Sequence, residues 1–513
     1  MKRKLSFLFL LPLMFVACEN VLPVDDADLS AMVAEFTTPT QTITYEGHVV
    51  DVDYFVSSAD LATYLELQPN SPNGIKRPIK SVEAKGPNAD VTLMYVVNYD
   101  KGWEIISADK RAQPVLAFSE GGEFSFETAN PGEKIWLECL ACDVLNLRTA
   151  DKALQTRAAE NNPNVGFWRG LERRKELLEM GEESMTRIDL PDSIDWPLVP
   201  RPDIPILPFP LPEGGHYELS QTYENYTLET EVGHMITTEW RQWSPWNVKC
   251  PSAYDTDDTY GQEFVPAGCV AIAISQILYY MHNKVGVPTM APTNAYYTGQ
   301  YNPWDVFDWG QSFTLEGMSG DMWNMMATSG EWVTNNTNAV ASLIAHVGYL
   351  SGMDYGDTGS SAADEDALEG ACHYYGITGT LLEGNAYNYS RVVENLRDSL
   401  VVYASAWTEE GDGHAFVIDG YRDYKLSYND VYDWVWDEPQ DPNGPQIKVP
   451  GYTITRPTNS VICKYICMNW GWAVSHNNED DGTPTWYAPH GHWTLDGDNY
   501  NLDRLAIVDF RIL

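Results

Sequence analysis

Positive charge is scarce in this sequence: 32 Lys and Arg stand against 73 Asp and Glu, a net charge of −41. A surface so acidic repels phosphate backbones and anionic headgroups, which excludes nucleic acid and acidic membrane faces as partners. Long apolar runs are scarce as well. Beyond residues 5–17 no stretch is apolar enough to span a bilayer, so the bulk of the chain is expected to be soluble. Also missing are a His-Glu-x-x-His zinc motif, a phosphate-cradling glycine loop and any internal repeat. These absences remove zincin-type peptidases, P-loop enzymes and solenoids from consideration. No metal or other cofactor is expected; the acidic run at residues 477–481 matches no calcium-loop spacing and reads as a solvated turn.

Cysteine is limited to eight residues, and Cys269 has a distinctive setting in Pro266-Ala-Gly-Cys-Val-Ala-Ile-Ala-Ile-Ser-Gln-Ile-Leu. Residues 270–278 are polar only at Ser275 and Gln276, the pattern of a helix through a core. Gly268 lets the chain turn tightly into it. A thiol at a helix N-terminus faces unpaired backbone N–H groups and the positive end of the macrodipole, which favour the thiolate nucleophile. From this stretch alone, a reactive cysteine and an inert buried one fit equally well.

Two later stretches offer partners. In Gly413-His414-Ala415-Phe416-Val417-Ile418-Asp419-Gly420-Tyr421 a histidine opens a short apolar run, as a strand presenting an imidazole at its end would. In Met468-Asn469-Trp470-Gly471-Trp472 an Asn-Trp pair follows the strand-like residues 461–467. Cysteine, then histidine, then Asn-Trp is the order of papain-like enzymes, where His takes the thiol proton, Asn orients the ring and Trp shields that contact from water. Upstream, Trp240-Arg241-Gln242-Trp243-Ser244-Pro245-Trp246-Asn247 puts a glutamine where such enzymes keep an oxyanion donor.

Together the four motifs resemble the streptopain family of cysteine peptidases. Arg241 and Ala473-Val474 depart from the family pattern, and about fifty residues separate His414 from Asn469. The resemblance implies an α+β chain whose papain-like two-layer catalytic domain combines a helical part with an antiparallel sheet part. It assigns Cys269 as nucleophile, His414 as base, Asn469 as holder of the imidazole, Gln242 with the Cys269 N–H as oxyanion donors, and Trp470 as cover. It also places Tyr355, Gly356, Ser360 and Ser361 along the substrate cleft; a plain glycine-rich turn accounts for the same residues.

The basic start and short apolar run of residues 1–17 read as a secretory signal peptide. Its Ala17-Cys18 junction resembles a bacterial lipoprotein leader, with Cys18 as the lipidated residue; ordinary cleavage near Ala17 is the alternative. Either implies an extracytoplasmic protein, anchored to the outer membrane, periplasmic or secreted. Residues 18–45 read as an acidic tether. Residues 46–150, with strands at 91–98, 103–107 and 115–118 and a hairpin turn ending at Gly102, resemble the inhibitory prodomain of streptopain-type enzymes, a small α+β module. Residues 151–232 form the expected linker, with a polar helical stretch at 161–187 and eight prolines from Pro191 to Pro212 that hold it extended and open to cleavage.

The catalytic domain is expected over 233–513. Its helices fall at 338–347, stopped by Gly348, at 368–375 and at 392–400, capped by Ser390; its strands fall at 401–407, 415–421, 461–468 and 505–512. His346 and Cys372 read as packing residues, and Cys139 and Cys142 as structural thiols, although an oxidising compartment could pair the six thiols beyond Cys18 and Cys269. The sequence therefore points to a secreted or lipid-anchored cysteine endopeptidase made as a zymogen. It would hydrolyse proteins or peptides and be inhibited by its own prodomain. A papain-like acyltransferase or amidase, and a catalytically silent adhesin or inhibitor on the same fold, stay open as alternatives.

Overall fold

The computed structural model describes residues 43–45, 48–66, 78–88, 90–126, 131–150, 162–179, 215–251, 264–285, 326–355, 364–383, 389–407, 413–436, 448–471, 484–489 and 504–513, with a few shorter pieces between them. An 11-stranded sheet runs through nearly all of it. Its strands are β1 (Ile79–Lys85), β2 (Met94–Tyr99), β3 (Trp103–Ser107), β4 (Val115–Ser119), β5 (Gly215–Val232), β6 (Ile377–Glu383), β7 (Val402–Trp407), β8 (Gly413–Trp436), β9 (Lys448–Asn469), β10 (Thr485–Tyr487) and β11 (Arg504–Ile512). The spatial order is β6-β11-β7-β8-β9-β10-β4-β3-β2-β1, and β5 pairs with the outer part of β8. The paired strands are antiparallel.

The first four strands form a meander with helices on both faces, so every residue of β2, β3 and β4 is buried. Side chains alternate between the faces. Tyr95, Val97 and Ile106 meet Leu61 and Leu65 of α1 (Ser58–Glu66) and Phe167, Trp168 and Leu171 of α3 (Pro163–Glu179). Val96, Trp103, Ile105 and Leu116 meet Trp136, Leu137, Leu140 and Val144 of α2 (Pro131–Thr149).

The other end of the sheet carries the helical layer. Ile272 and Ile277 of α4 (Cys269–Tyr280) and Leu343 and Ile344 of α5 (Asn335–Leu350) share one core with Val401, Tyr403, Val417 and Ile507. Each buried aliphatic side chain contributes about 2 kcal/mol. This is the papain-like two-layer arrangement that the sequence implied, with a small α+β module ahead of it.

Several boundaries differ from expectation. Helix α5 runs through Gly348, because the bare position accommodates the Tyr355 hydroxyl, 2.3 Å from where a Cβ would stand. Helix α6 (Tyr389–Arg397) starts one residue before Ser390, which is therefore not its cap. Part of the expected linker is ordered structure: α3 packs into the core, and β5 lies along β8 with Val232 opposite Tyr421 and Gly215 opposite Trp436. The strands around His414 and Asn469 are longer than expected, and the β8–β9 ribbon takes up the extra spacing between those two residues. The seven described cysteines are all free thiols. Cys372 and His346 are fully buried, with His346 Nδ1 bonded to the Tyr375 hydroxyl at 2.7 Å, which fits packing roles for both. Among the described residues no helix is long and apolar enough to cross a membrane.

Candidate active site

Helix α4 begins at Cys269, and Gly268 before it holds φ at 85°, a left-handed value that glycine adopts without strain. This bend aims the first turn at β8. The Cys269 thiol meets the backbone N–H of Ala415, the residue after His414, together with those of Val270 and Cys269 itself. Helix start and strand end thus converge on one point, and the thiol lies against the strand that carries the imidazole. Gln242 reaches the same place through its backbone: its carbonyl accepts the Ala267 N–H at 2.9 Å, two residues before Cys269.

Asn469 is held differently from expectation. Gln276 lies seven residues, about two helical turns, after Cys269 and so on the same face of α4. Its Nε2 donates to Asn469 Oδ1 at 3.0 Å, where the Gly471 N–H also arrives at 3.1 Å. Asn469 Nδ2 donates to the Thr238 carbonyl at 2.9 Å. With both ends of the amide engaged, His414 Nε2 donates instead to the Trp470 carbonyl at 2.8 Å. The reading of Asn469 as direct holder of the imidazole is corrected accordingly: the adjacent backbone holds the ring, and Asn469 fixes that backbone. A carbonyl can only accept, so Nε2 carries the ring proton and Nδ1 is the basic nitrogen. The Trp470 ring is buried, its centroid 6.3 Å from that of His414 and 4.6 Å from that of Phe416.

The proposed cleft residues fare unevenly. Asp354-Tyr355 pairs with Ser360-Ser361 in a small hairpin, while Gly356 and Cys18 lie outside the described residues. The Tyr355 side chain is turned into the core, against Gly348 and the Cys250 thiol, so any substrate contact there falls to its backbone. One neighbour escaped sequence reading altogether. Asp364 is buried, accepts hydrogen bonds from the Tyr403 hydroxyl and from Ser405 Oγ at 3.2 Å, and is close enough for its charge to act on the Cys269 thiol.

A second element lies on top of this site. In the first turn of α2, a Cβ built on Gly132 would fall 2.3 Å from Trp470 Cε3 and 2.6 Å from His414 Cδ2, so only a residue with no side chain allows the helix to come this near. Glu133, next to it, is fully buried and accepts the Tyr487 hydroxyl at 3.0 Å. Trp136 packs on the Tyr487 ring at 4.6 Å and donates to the Ala488 carbonyl at 3.3 Å. Tyr487 in turn touches Trp470, with ring centroids 5.7 Å apart. The N-terminal module thus seals the imidazole from solvent.

That seal sets the charge state. Burial pushes the Cys269 thiol up despite its three N–H neighbours, and it pushes His414 down from 6.5 to about 4 despite the Trp470 carbonyl. In the covered site burial thus favours the neutral form of both groups.

The His414 shift has a sign that can be tested. Because its folded pKa lies below the unfolded one, the unfolded chain binds more protons between pH 6.5 and about 4. Stability from this group is complete above pH 6.5 and is lost as pH falls through about 4, by roughly 3 kcal/mol. Urea unfolding of the uncut chain is expected to show wild type losing that much more than His414→Gln across this window. Parallel curves would refute the buried, neutral histidine. His234 has the opposite sign, since its bond to Asp419 raises it.

Comparison with known proteins adds the following. Residues 240–478 match the family model described as the Peptidase C10 family, and residues 55–144 match that described as a Spi protease inhibitor. Among solved structures, a Prevotella intermedia prointerpain A fragment is 21% identical, with 80% of this chain and 94% of that one covered at a TM-score of 0.40. The active wild-type Prevotella intermedia interpain A cysteine protease is 21% identical, with 55% of this chain and 95% of that one covered at a TM-score of 0.33. No curated protein matches the sequence.

Proposed function

Since the chain belongs to the Peptidase C10 family and carries a Spi-type inhibitor region ahead of its catalytic one, we propose that it is an extracytoplasmic zymogen whose peptidase chemistry runs through Cys269 and His414. The observation that carries this reading is the convergence of the Cys269 thiol on the N–H of Ala415, beside His414, beneath the first turn of α2. In the uncovered enzyme His414 Nδ1 takes the thiol proton, Cys269 attacks the scissile carbonyl, and the imidazolium returns the proton to the leaving amine. Gln242 and the Cys269 N–H stabilise the oxyanion, each such donor contributing on the order of 3 kcal/mol. Water then releases the acyl group from sulfur and restores the thiol. Substrates are proteins or peptides, lying over the hairpin that contains Tyr355 and Ser360.

Helix α2 begins inside the region that matches the inhibitor family, which supports reading it as the intramolecular inhibitor. Activation is a cut between α3 and β5, across residues 180–214. Both flanking elements resist cleavage: α3 buries Phe167, Trp168 and Leu171, and β5 is laddered to β8. A cut there leaves β5 on the catalytic sheet and removes α1 to α3 with the prodomain. The Ala17-Cys18 leader supports lipidation at Cys18 and an envelope location.

One experiment addresses both ends. Intact-mass analysis of the native protein before and after activation is expected to find a lipidated Cys18 on the precursor and a mature N-terminus within 180–215. The precursor is expected to be latent, and the separated N-terminal piece, added back, to slow the mature enzyme. An uncut chain as active as the mature form, or a mature chain beginning inside α3 or β5, would overturn the zymogen reading.

A further inference from the structure

Away from the catalytic cysteine, three side chains from distant parts of the chain meet at one point. His234 stands two residues past the end of β5, Asp419 is on β8, and Cys467 is on β9. One imidazole nitrogen, one carboxylate oxygen and the sulfur all lie within 4.8 Å of one another. The backbone is shaped for the meeting. Ile418 pairs with Met468 and Gly420 with Cys467, so Asp419 is the extra residue of a bulge, and a bulge re-aims the side chain it carries.

The carboxylate at the centre is not fully used. Asp419 is completely buried; its Oδ2 accepts His234 Nδ1 at 2.8 Å and the Ile236 N–H at 2.9 Å. Its buried Oδ1 has no N–H or O–H donor among the described residues, and the Cys467 thiol lies beside the same carboxylate. A buried carboxylate oxygen stripped of water, with no donor stronger than a thiol beside it, is unfavourable by about 1–3 kcal/mol, so such atoms signal a missing partner. His234 is 42% exposed and opens the cluster to solvent on one side, whereas Cys467 is 4% exposed.

From this geometry we propose that His234, Asp419 and Cys467 form a binding site for a borderline divalent cation of the zinc type, which clips the start of the catalytic region to the β8–β9 ribbon. One nitrogen, one carboxylate oxygen and one thiolate, with water in the fourth place, suit a tetrahedral zinc-type ion; calcium and magnesium demand oxygen donors. Loading releases the Cys467 thiol proton; a neutral His234 only moves its Nδ1 proton to Nε2 to free the ligating lone pair, an imidazolium His234 releases a second proton, and no oxidation state changes. The Ile236 N–H stays on Oδ2 and keeps the carboxylate oriented. The ion ties down residue 234, eight positions before Gln242, so it holds the segment leading to the oxyanion donor after the linker has been cut. The site does not depend on the assignment of the catalytic pair.

The test uses the full chain with Cys269→Ala, so that the active-site thiol cannot compete, titrated with Co²⁺ and then with Zn²⁺. One cobalt per chain is expected, with the visible bands of tetrahedral cobalt and a near-ultraviolet thiolate charge-transfer band, all removed by zinc. Cys467→Ser is expected to abolish the charge-transfer band, and His234→Ala, on the solvent side of the cluster, to weaken binding about tenfold or more. Should Cys467→Ser fail to fold, His234→Ala decides. No uptake by the Cys269→Ala chain, a charge-transfer band that survives Cys467→Ser, or an affinity unchanged in His234→Ala would overturn the proposal.

Discussion

Cys269→Ser or His414→Ala is expected to lower peptide-bond hydrolysis by the activated enzyme about 10⁴-fold or more, with the fold retained. The size follows from how the two groups act. A hydroxyl in place of the thiol is a far weaker acid and nucleophile, and without the imidazole nothing near the thiol can accept its proton. Retention of the fold follows from their setting. Cys269 is only half-buried at the rim of the α4 core, and the core around it is carried by Ile272, Ile274, Ile277 and Leu278. Turnover of a peptide substrate, read beside the circular dichroism spectrum, decides the matter. Activity in Cys269→Ser within tenfold of wild type would remove Cys269 from the chemistry.

Gly132→Leu is expected to unmask the uncut chain. A Cβ at residue 132 already lies 2.3 Å from the Trp470 ring and 2.6 Å from the imidazole, so a leucine cannot be seated without lifting the first turn of α2. Overpacking of this kind is unfavourable by about 1–3 kcal/mol, which corresponds to a rise of roughly 5- to 150-fold in the open population. Iodoacetamide labelling of Cys269 in the precursor should speed up by that factor, since water returning to the imidazole lets it accept the thiol proton. Gly166→Leu on α3 is the control, because a Cβ there meets nothing within 4 Å. Equal labelling in wild type and Gly132→Leu, or an equal effect of both substitutions, would show that α2 is not the cover.

Much of this site could be read in the sequence because its strongest features are local. An apolar run opening at Cys269 marks the start of the helix, and short apolar runs mark the cores of the strands around His414 and Asn469. What escaped reading was set by contacts remote in sequence. Gln276 was visible as a polar residue in an apolar helix, yet only the fold shows that it occupies the Asn469 amide and so moves the imidazole bond to Trp470. Strand β5, with its Tyr, Thr and Val residues, carries a strand signal that the prolines before it obscured. The outer half of β8 mixes acidic and aromatic residues, as in Asp430, Tyr432, Asp433 and Trp434, and its length becomes evident only from its ladder with β5. Nothing periodic announces that Gly132 meets His414, or that His234 meets Asp419 and Cys467.

The strand that joins the two halves of the sheet is only three residues long. β10 pairs with β4 through Thr485 to Ser119, Trp486 to Phe118 and Tyr487 to Ala117, and with β9 through just Ile466 and Cys467. A seam so brief is kinetically lenient: separation breaks few main-chain bonds at once, and the newly bared edge is too short to template another chain. Long raw edges invite self-association, and this one is trimmed to a length that discourages it. Much of the grip between the halves therefore lies in side chains beside the seam, among them Trp136 on Tyr487, Phe118 on Tyr465 and Tyr424, and Gln113 on the Lys464 backbone, so the continuity of the sheet rests more on packing than on its main-chain ladder.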